Sequence, residues 1–129
     1  MEELCSLNSG PPPHTHEQDE ALYIMEGEVT LIAGSETMTA KGGSLAYIPA
    51  HCVHSFRVDA DKTRLLNFYF PGGFERVITE FGIPAQSRTL PPGDLKRSGT
   101  PERMKAFFQK IGMSPVALPD ALRQPGLRI

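Results

Sequence analysis

The residues best suited to chemistry lie close together near the start of the chain. His14 and His16 alternate at the spacing of a β-strand, so both imidazoles project from the same face. Glu20 follows after three intervening residues. Two imidazoles and one carboxylate form a donor set that borderline divalent cations accept. This pattern predicts a metal site that needs a further donor from elsewhere in the chain, and His54 is the best-placed candidate.

Composition limits the classes of protein to which the chain can belong. A length of 129 residues suits one domain with a core of ordinary size. The net charge of −2 provides no basic field for a nucleic-acid backbone, so nucleic-acid binding is not expected. No apolar run approaches the roughly 18–20 residues of a membrane helix, and acids follow Met1, so we expect no membrane contact and a cytoplasmic location. Cys5 and Cys52 are expected to remain free thiols in that compartment.

The first part of the chain reads as a series of short strands that would position these donors. Glycine and proline, 12 of each, separate the β-rich runs. The predicted strands cover residues 4–7, 21–26, 28–33, 36–40, 45–48, 53–58 and 64–70. Such short, evenly spaced strands predict an all-β barrel or sandwich.

The character of the sequence changes after residue 73. Residues 74–81 place apolar side chains at helical spacing, and a second helix is predicted from Thr100, an N-cap, to Gly112. The second helix has an apolar stripe formed by Met104, Phe107, Phe108 and Ile111. The stripe resembles a binding groove, but packing of this face on the barrel is the favoured interpretation. Residues 114–129 are expected to be extended over the surface or partly disordered. We therefore expect a barrel over 1–72 and, in the same domain, a helical extension over 73–129 packed on it.

Two motifs resemble those of the cupin family. His14-x-His16-x3-Glu20-x6-Gly27 is similar to the first cupin motif, and Gly43-x5-Pro49-x4-His54 is similar to the second. The fifteen residues between Gly27 and Gly43 match the spacer of small bacterial members. The part from residue 73 onward is similar to the C-terminal part of quercetin 2,3-dioxygenase-like small cupins.

This resemblance implies a fold and a ligand set. The implied fold is a double-stranded β-helix, an all-β jelly-roll barrel with one or two C-terminal helices. His14, His16, Glu20 and His54 carry over as ligands of one divalent transition metal. Iron, manganese, nickel, cobalt, copper and zinc all accept three imidazoles and a carboxylate, so the donor set does not choose among them.

The chain departs from the family pattern at three places. His51 replaces the usual glycine of the second motif, and Val58 replaces an asparagine. His51 could be an extra base or a substitute ligand. A histidine on the rim is the favoured interpretation, because His51 and His54 have opposite strand parity. Scarcely more than ten residues precede the first motif, whereas relatives carry further strands there. Unless the start codon is misplaced, we expect a second copy to cover the exposed sheet edge, as an edge-to-edge or strand-swapped homodimer.

The resemblance implies a metal-dependent dioxygenase, quercetinase-like, that acts on a small aromatic or enol-type substrate. Glu20 would serve as metal ligand and as general base for the substrate hydroxyl. The expected pocket residues are Leu22, Ile24, Met25, Phe56 and Phe68, of which Met25 faces inward only if a bulge turns it. Two alternatives stay open, namely a non-catalytic binding or sensor protein and an oxygen-independent metal-assisted isomerase or lyase.

Overall fold

The protein folds into two antiparallel β-sheets joined to two short helices. A computed structural model describes residues 1–92 and 99–116. Within these ranges the elements are β1 (Glu2–Cys5), β2 (His14–Thr15), β3 (Asp19–Glu26), β4 (Glu28–Ala33), β5 (Glu36–Lys41), β6 (Leu45–Ile48), β7 (His54–Val58), β8 (Thr63–Phe70), α1 (Arg76–Phe81), α2 (Pro101–Lys110) and β9 (Ser114–Pro115). Neither helix is long and apolar enough to cross a membrane.

The two sheets enclose the core as the walls of a jelly-roll barrel. One sheet has the strand order β1-β8-β3-β6, and the other has the order β5-β4-β7-β2-β9. Alternation along each strand sends one row of side chains inward, so in β3 Leu22 and Ile24 are completely buried while Tyr23 between them is exposed. The predicted all-β jelly-roll fold is confirmed.

Most predicted strands lie within two residues of the observed ones. The strand predicted at 4–7 begins earlier, at Glu2, because β1 pairs with β8 in the register Glu3↔Leu65. The short strand β9 was missed by the prediction of an extended tail, since its two residues carry no strand pattern of their own and form it by pairing with β2. Residues 117–129 of that predicted tail lie outside the described ranges.

The two helices contact each other beside the barrel. The first begins two residues later than predicted, at Arg76. The second begins as predicted, with the Thr100 hydroxyl accepting a hydrogen bond from the Arg103 amide at 3.3 Å. The rings of Phe81 and Phe107 meet edge to face with centroids 5.3 Å apart, and Arg103 pairs with Glu80. The division of the chain at residues 72 and 73 into barrel and extension stays a prediction.

Gly27 permits a close contact between β3 and β8. The register of this pair shifts between Ile24 and Glu26, which marks an irregularity just before the glycine. Gly27 adopts a φ of 94°, and a Cβ there would lie 2.2 Å from the Thr63 hydroxyl oxygen and 2.9 Å from the Thr63 Cα. The irregularity leaves Met25 43% exposed, so it does not turn this side chain inward as the sequence analysis required.

Two alanine substitutions separate this steric constraint from backbone strain. Gly43 has a nearly equal φ of 91° but open space around its Cα. We expect Gly43→Ala to cost about 1 kcal/mol of unfolding free energy through strain alone. Gly27→Ala adds the clash with Thr63 and should cost at least about 3 kcal/mol. Urea unfolding measures both free energies. Equal losses in the two variants would show that Thr63 moves away from the added Cβ without destabilising the protein.

Candidate metal centre

Three histidines and one carboxylate meet at one end of the barrel. His14 and His54 are direct partners across the β2–β7 pair, His16 follows immediately after β2, and Glu20 comes from β3 in the other sheet. All four side chains are buried, with exposed fractions between 1% and 4%. The structure thus brings together the four residues that the sequence analysis proposed as ligands.

The distances match a single cation. The candidate ligand nitrogens of the three histidines lie within 4.8 Å of one another. Glu20 Oε2 lies 3.2 Å from His16 Nε2 and 3.2 Å from His54 Nε2. Two donor atoms bound tetrahedrally to one ion at about 2.0–2.1 Å would be roughly 3.3 Å apart. The two contacts of Glu20 therefore match the spacing that a transition metal requires, and the three histidine nitrogens are grouped closely enough to hold one ion.

Backbone carbonyl groups orient all three imidazole rings. Because a carbonyl oxygen only accepts hydrogen bonds, each contacting Nδ1 carries the ring proton and donates it. The contacts are His14 Nδ1 to Pro12 O at 2.8 Å, His16 Nδ1 to Gln18 O at 2.9 Å and His54 Nδ1 to Cys52 O at 2.9 Å. In a neutral ring this leaves Nε2 as a lone pair, and such outer contacts are typical of metal-binding histidines.

The His54 Nε2 atom tests whether the residues fit a metal. It is buried and has no hydrogen-bond partner among the described residues, although Glu20 Oε2 is 3.2 Å away. A lone pair facing a carboxylate oxygen in a buried site is repulsive unless a positive charge lies between them. A divalent cation satisfies both atoms at once, so the residues fit the metal that the donor set predicts.

Protonation at this site follows from burial and from the neighbouring rings. Burial raises the pKa of Glu20, but the contacts of its carboxylate with the His16 and His54 rings outweigh burial and bring the pKa to about 2. Burial lowers the pKa of His14 to about 4, and the charge of His54 adds to this effect. At neutral pH the site therefore offers a carboxylate and a neutral His14, the forms that bind metals.

His51 lies outside the cluster. Its side chain is exposed, and its backbone amide donates to the His16 carbonyl at 2.8 Å in the turn before β7. His51 has a φ of 64°, in the left-handed region that favours glycine. This explains why the related motif carries glycine there, and it places His51 on the rim.

A cavity of about 390 Å³ opens onto His14, Glu20 and His54. This volume is at the lower end of the usual range for small-molecule sites. The rest of its lining is mostly apolar and comes from strands and helices; it includes Phe56, Phe74, Val77, Met104, Phe108 and Met113. The helical stripe residues Met104 and Phe108 therefore line the cavity, whereas the sequence analysis favoured mere packing on the barrel.

Of the five residues predicted to form the pocket, Phe56 lines this cavity. Leu22 and Ile24 are completely buried in the core, while Met25 and Phe68 are 43% and 41% exposed. The prediction chose Phe68 for its apolarity, but alternation along β8 turns Asn67 and Tyr69 inward and Phe68 outward.

Several cavity residues escaped the sequence analysis. The Phe74 ring lies 4.5 Å from that of His16 and 4.8 Å from that of Tyr69, centroid to centroid. Phe74 was assigned to a helix face, and Glu3 to no element at all. Asn67 did carry a signal, since a single amide within the most apolar strand of the chain indicates an inward polar contact.

Comparison with known proteins identifies the barrel. The family model described as "Cupin domain" matches residues 6–69. The protein is a cupin. It is 30% identical to quercetin 2,3-dioxygenase from Bacillus subtilis over 79 residues, which are 60% of this chain and 23% of that protein. It is 32% identical to an uncharacterized protein from Streptomyces coelicolor over 56 residues, which are 43% of this chain and 53% of that protein. The matches thus span about a quarter and about half of these relatives' lengths.

Solved structures agree on the cupin fold. An RmlC-like cupin from Shewanella frigidimarina aligns with a TM-score of 0.52 at 16% identity, covering 58% of this chain and 67% of that one. KdgF from Halomonas aligns with a TM-score of 0.50 at 18% identity, covering 51% of this chain and 62% of that one. At these identities the likeness concerns the fold alone.

Substitution of single histidines should separate ligands from bystanders. We expect His14→Gln and His54→Gln to lower metal affinity by at least about 100-fold, since changes in outer contacts alone cost about 10–100-fold. His51→Gln is the matched control and should keep the wild-type metal content. Elemental analysis of protein purified without chelator measures the effect. Equal metal content in all three variants would contradict the proposed ligand set.

Proposed function

We propose that this cupin is a metal-dependent dioxygenase that acts on a small aromatic or enol-type substrate. The observation that carries the proposal is a donor cluster with the geometry to hold a metal ion, at the wall of an apolar cavity of about 390 Å³. The match to quercetin 2,3-dioxygenase over 60% of the chain supports the same reaction class.

His14, His16, Glu20 and His54 would hold one divalent ion of iron, manganese, nickel, cobalt, copper or zinc. When bound, such an ion supplies Lewis acidity and, for the redox-active metals, one-electron chemistry. The Nδ1 contacts of the three histidines keep their rings aligned without help from the ion, so the protein orients the donors before the metal binds.

Glu20 would accept the hydroxyl proton of the substrate. Its pKa of about 2 keeps the carboxylate ionised at neutral pH, which a proton acceptor requires. Enols and phenols are more acidic than aliphatic alcohols, so they are the hydroxyl groups from which a carboxylate most readily takes a proton.

The aromatic lining would bind a flat ring and exclude water. Phe56, Phe74 and Phe108 line the cavity, and Phe74 lies against the His16 ring. Aromatic side chains pack on planar ligands in offset or edge-to-face arrangements that add to apolar burial. A flat substrate between these rings would present its hydroxyl to Glu20.

Oxygen uptake tests the reaction class. We expect the metal-loaded protein to consume O2 when given quercetin as a probe, and Glu20→Gln to lower the rate by about 10²–10⁴-fold through loss of the proton acceptor. An oxygen electrode measures both rates, with His51→Gln as the control of unchanged rate. Absence of uptake by metal-replete protein across flavonols and dihydroxylated aromatics would instead support a binding protein or an oxygen-independent isomerase.

We also propose that the protein forms a homodimer through the outer face of the four-stranded sheet. Large apolar side chains cluster there in adjacent register, with Tyr47 and Phe68 flanking Ala21 and with Leu45 beside Tyr23. The exposed parts of Tyr23, Leu45, Tyr47, Phe68 and Phe70 together amount to roughly 500 Å². An exposed apolar patch of this area is near the upper limit for a monomeric protein. In a dimer it would form the centre of an interface, since each partner buries about 800 Å² in an interface of standard size. The exposed apolar area favours a dimer packed face to face over one formed by edge pairing or strand swapping.

The cytoplasmic location stays a prediction.

Charges introduced on this face should dissociate the dimer. We expect the wild-type protein to be dimeric at micromolar concentration and the double variant Tyr47→Glu, Phe68→Glu to be monomeric, because both charges would be buried against a partner. Thr39→Glu, on an exposed position of β5 in the other sheet, is the control. Light scattering coupled to size exclusion measures the mass, and a monomeric wild type would contradict the proposal.

A further inference from the structure

A second polar contact lies in the same cavity, away from the histidines. Alternation along β1 turns Glu3 inward, and the β1–β8 pairing brings it beside Asn67. The Asn67 Nδ2 donates a hydrogen bond to Glu3 Oε1 at 2.5 Å. Both residues line the cavity from the four-stranded sheet, whereas His14 and His54 belong to the other sheet. The cavity therefore has polar groups on two different walls.

Asn67 is incompletely satisfied in a way that indicates a ligand. The residue is 2% exposed, and its Oδ1 is buried without a hydrogen-bond partner among the described residues. The orientation of the amide is determined by Glu3, because a flipped amide would set its oxygen against the carboxylate. The unpaired atom is thus a hydrogen-bond acceptor in the wall of a ligand-sized cavity, and a donor from a ligand would satisfy it.

Tyr69 extends this polar wall toward the metal centre. It follows Asn67 on the inward row of β8 and is the register partner of Glu20 on β3. Burial and then the charges of Glu20 and Glu3 raise the pKa of Tyr69, so it stays a neutral phenol between the two carboxylates. Phe74 lies against its ring, which continues the apolar surface between the two polar ends.

We infer that Glu3 and Asn67 bind a hydroxyl group of the substrate at a distance from the hydroxyl presented to Glu20. This inference rests on the proposed function and narrows its substrate class to flat aromatic molecules that carry at least two separated hydroxyls. Asn67 Oδ1 accepts a hydrogen bond from the second hydroxyl, and the Glu3 carboxylate offers a further acceptor beside it. A substrate with a carboxylate or phosphate at that end is disfavoured, since it would face Glu3.

A pair of probes that differ only in remote hydroxyls tests this inference. Quercetin and 3-hydroxyflavone share the hydroxyl and ketone that a metal site would take, but 3-hydroxyflavone lacks the other hydroxyls. Dissociation constants are measured by fluorescence titration of the metal-loaded full chain without oxygen, so that no turnover occurs. We expect the wild type to prefer quercetin by about tenfold or more, the usual range for a hydrogen bond to a charged group.

Neighbouring glutamates on β1 provide the matched control. Glu3→Gln and Asn67→Leu should reduce the preference to about twofold or less while leaving the affinity for 3-hydroxyflavone unchanged. Glu2→Gln alters the adjacent residue, which is exposed and pairs with Arg64 on the outer face, and should keep the full preference. If Asn67→Leu fails to fold, the near-isosteric Glu3→Gln decides the outcome.

Other outcomes overturn the inference and are distinguishable from failure of the proposed function. Equal wild-type affinity for the two probes, binding of neither, or an unchanged preference in Glu3→Gln would each refute it. If Glu3→Gln loses the preference and no oxygen uptake is found, the hydroxyl-binding role of Glu3 and Asn67 is supported and the dioxygenase activity is refuted. If oxygen uptake is found but both probes bind equally well, the dioxygenase activity is supported and the hydroxyl-binding role is refuted.

Discussion

The structure depends on a buried contact between imidazole nitrogens and a carboxylate at one end of the barrel. Imidazole nitrogens and a carboxylate oxygen face one another in a site whose residues are at most 4% exposed, with separations of 3.2 Å. Such an arrangement is favourable in a medium of low dielectric constant only when a proton or a metal ion lies between the donors. The rings are nevertheless held in place by their Nδ1 hydrogen bonds to backbone carbonyls. The fold thus holds the donors in an arrangement that a metal ion would fit.

Both sheets are needed to produce this site. The β2–β7 pair contributes His14 and His54 from one wall, and β3 contributes Glu20 from the other. The tight approach at Gly27 aligns β3 with β8, and the same alignment sets Glu20 opposite Tyr69 and Leu22 opposite Asn67. A change in that register would move the carboxylate and the polar wall together, because side chains alternate between the two faces.

The cavity is lined by polar residues from both sheets and by apolar residues of the strands and helices. Helix residues such as Val77, Met104 and Phe108 close the space that the strands leave open. No residue of α1 or α2 is fully buried, so the helices contribute their apolar faces to the cavity more than to the core. The residues after the barrel therefore belong to the candidate site as much as the strands do.

The sequence by itself determined the fold class, most strands and the identity of the four candidate ligands. These features depend on local spacing, since alternation and turn residues are visible within a few positions of the chain. Tertiary structure alone decided which residues line the cavity. Glu3 and Asn67 are 64 positions apart and meet only through the pairing of β1 with β8, and Phe74 reaches His16 only because the chain after the barrel folds back over its mouth. Long-range register and the choice of face for each strand depend on the packing of the whole barrel, and that information is absent from any single segment.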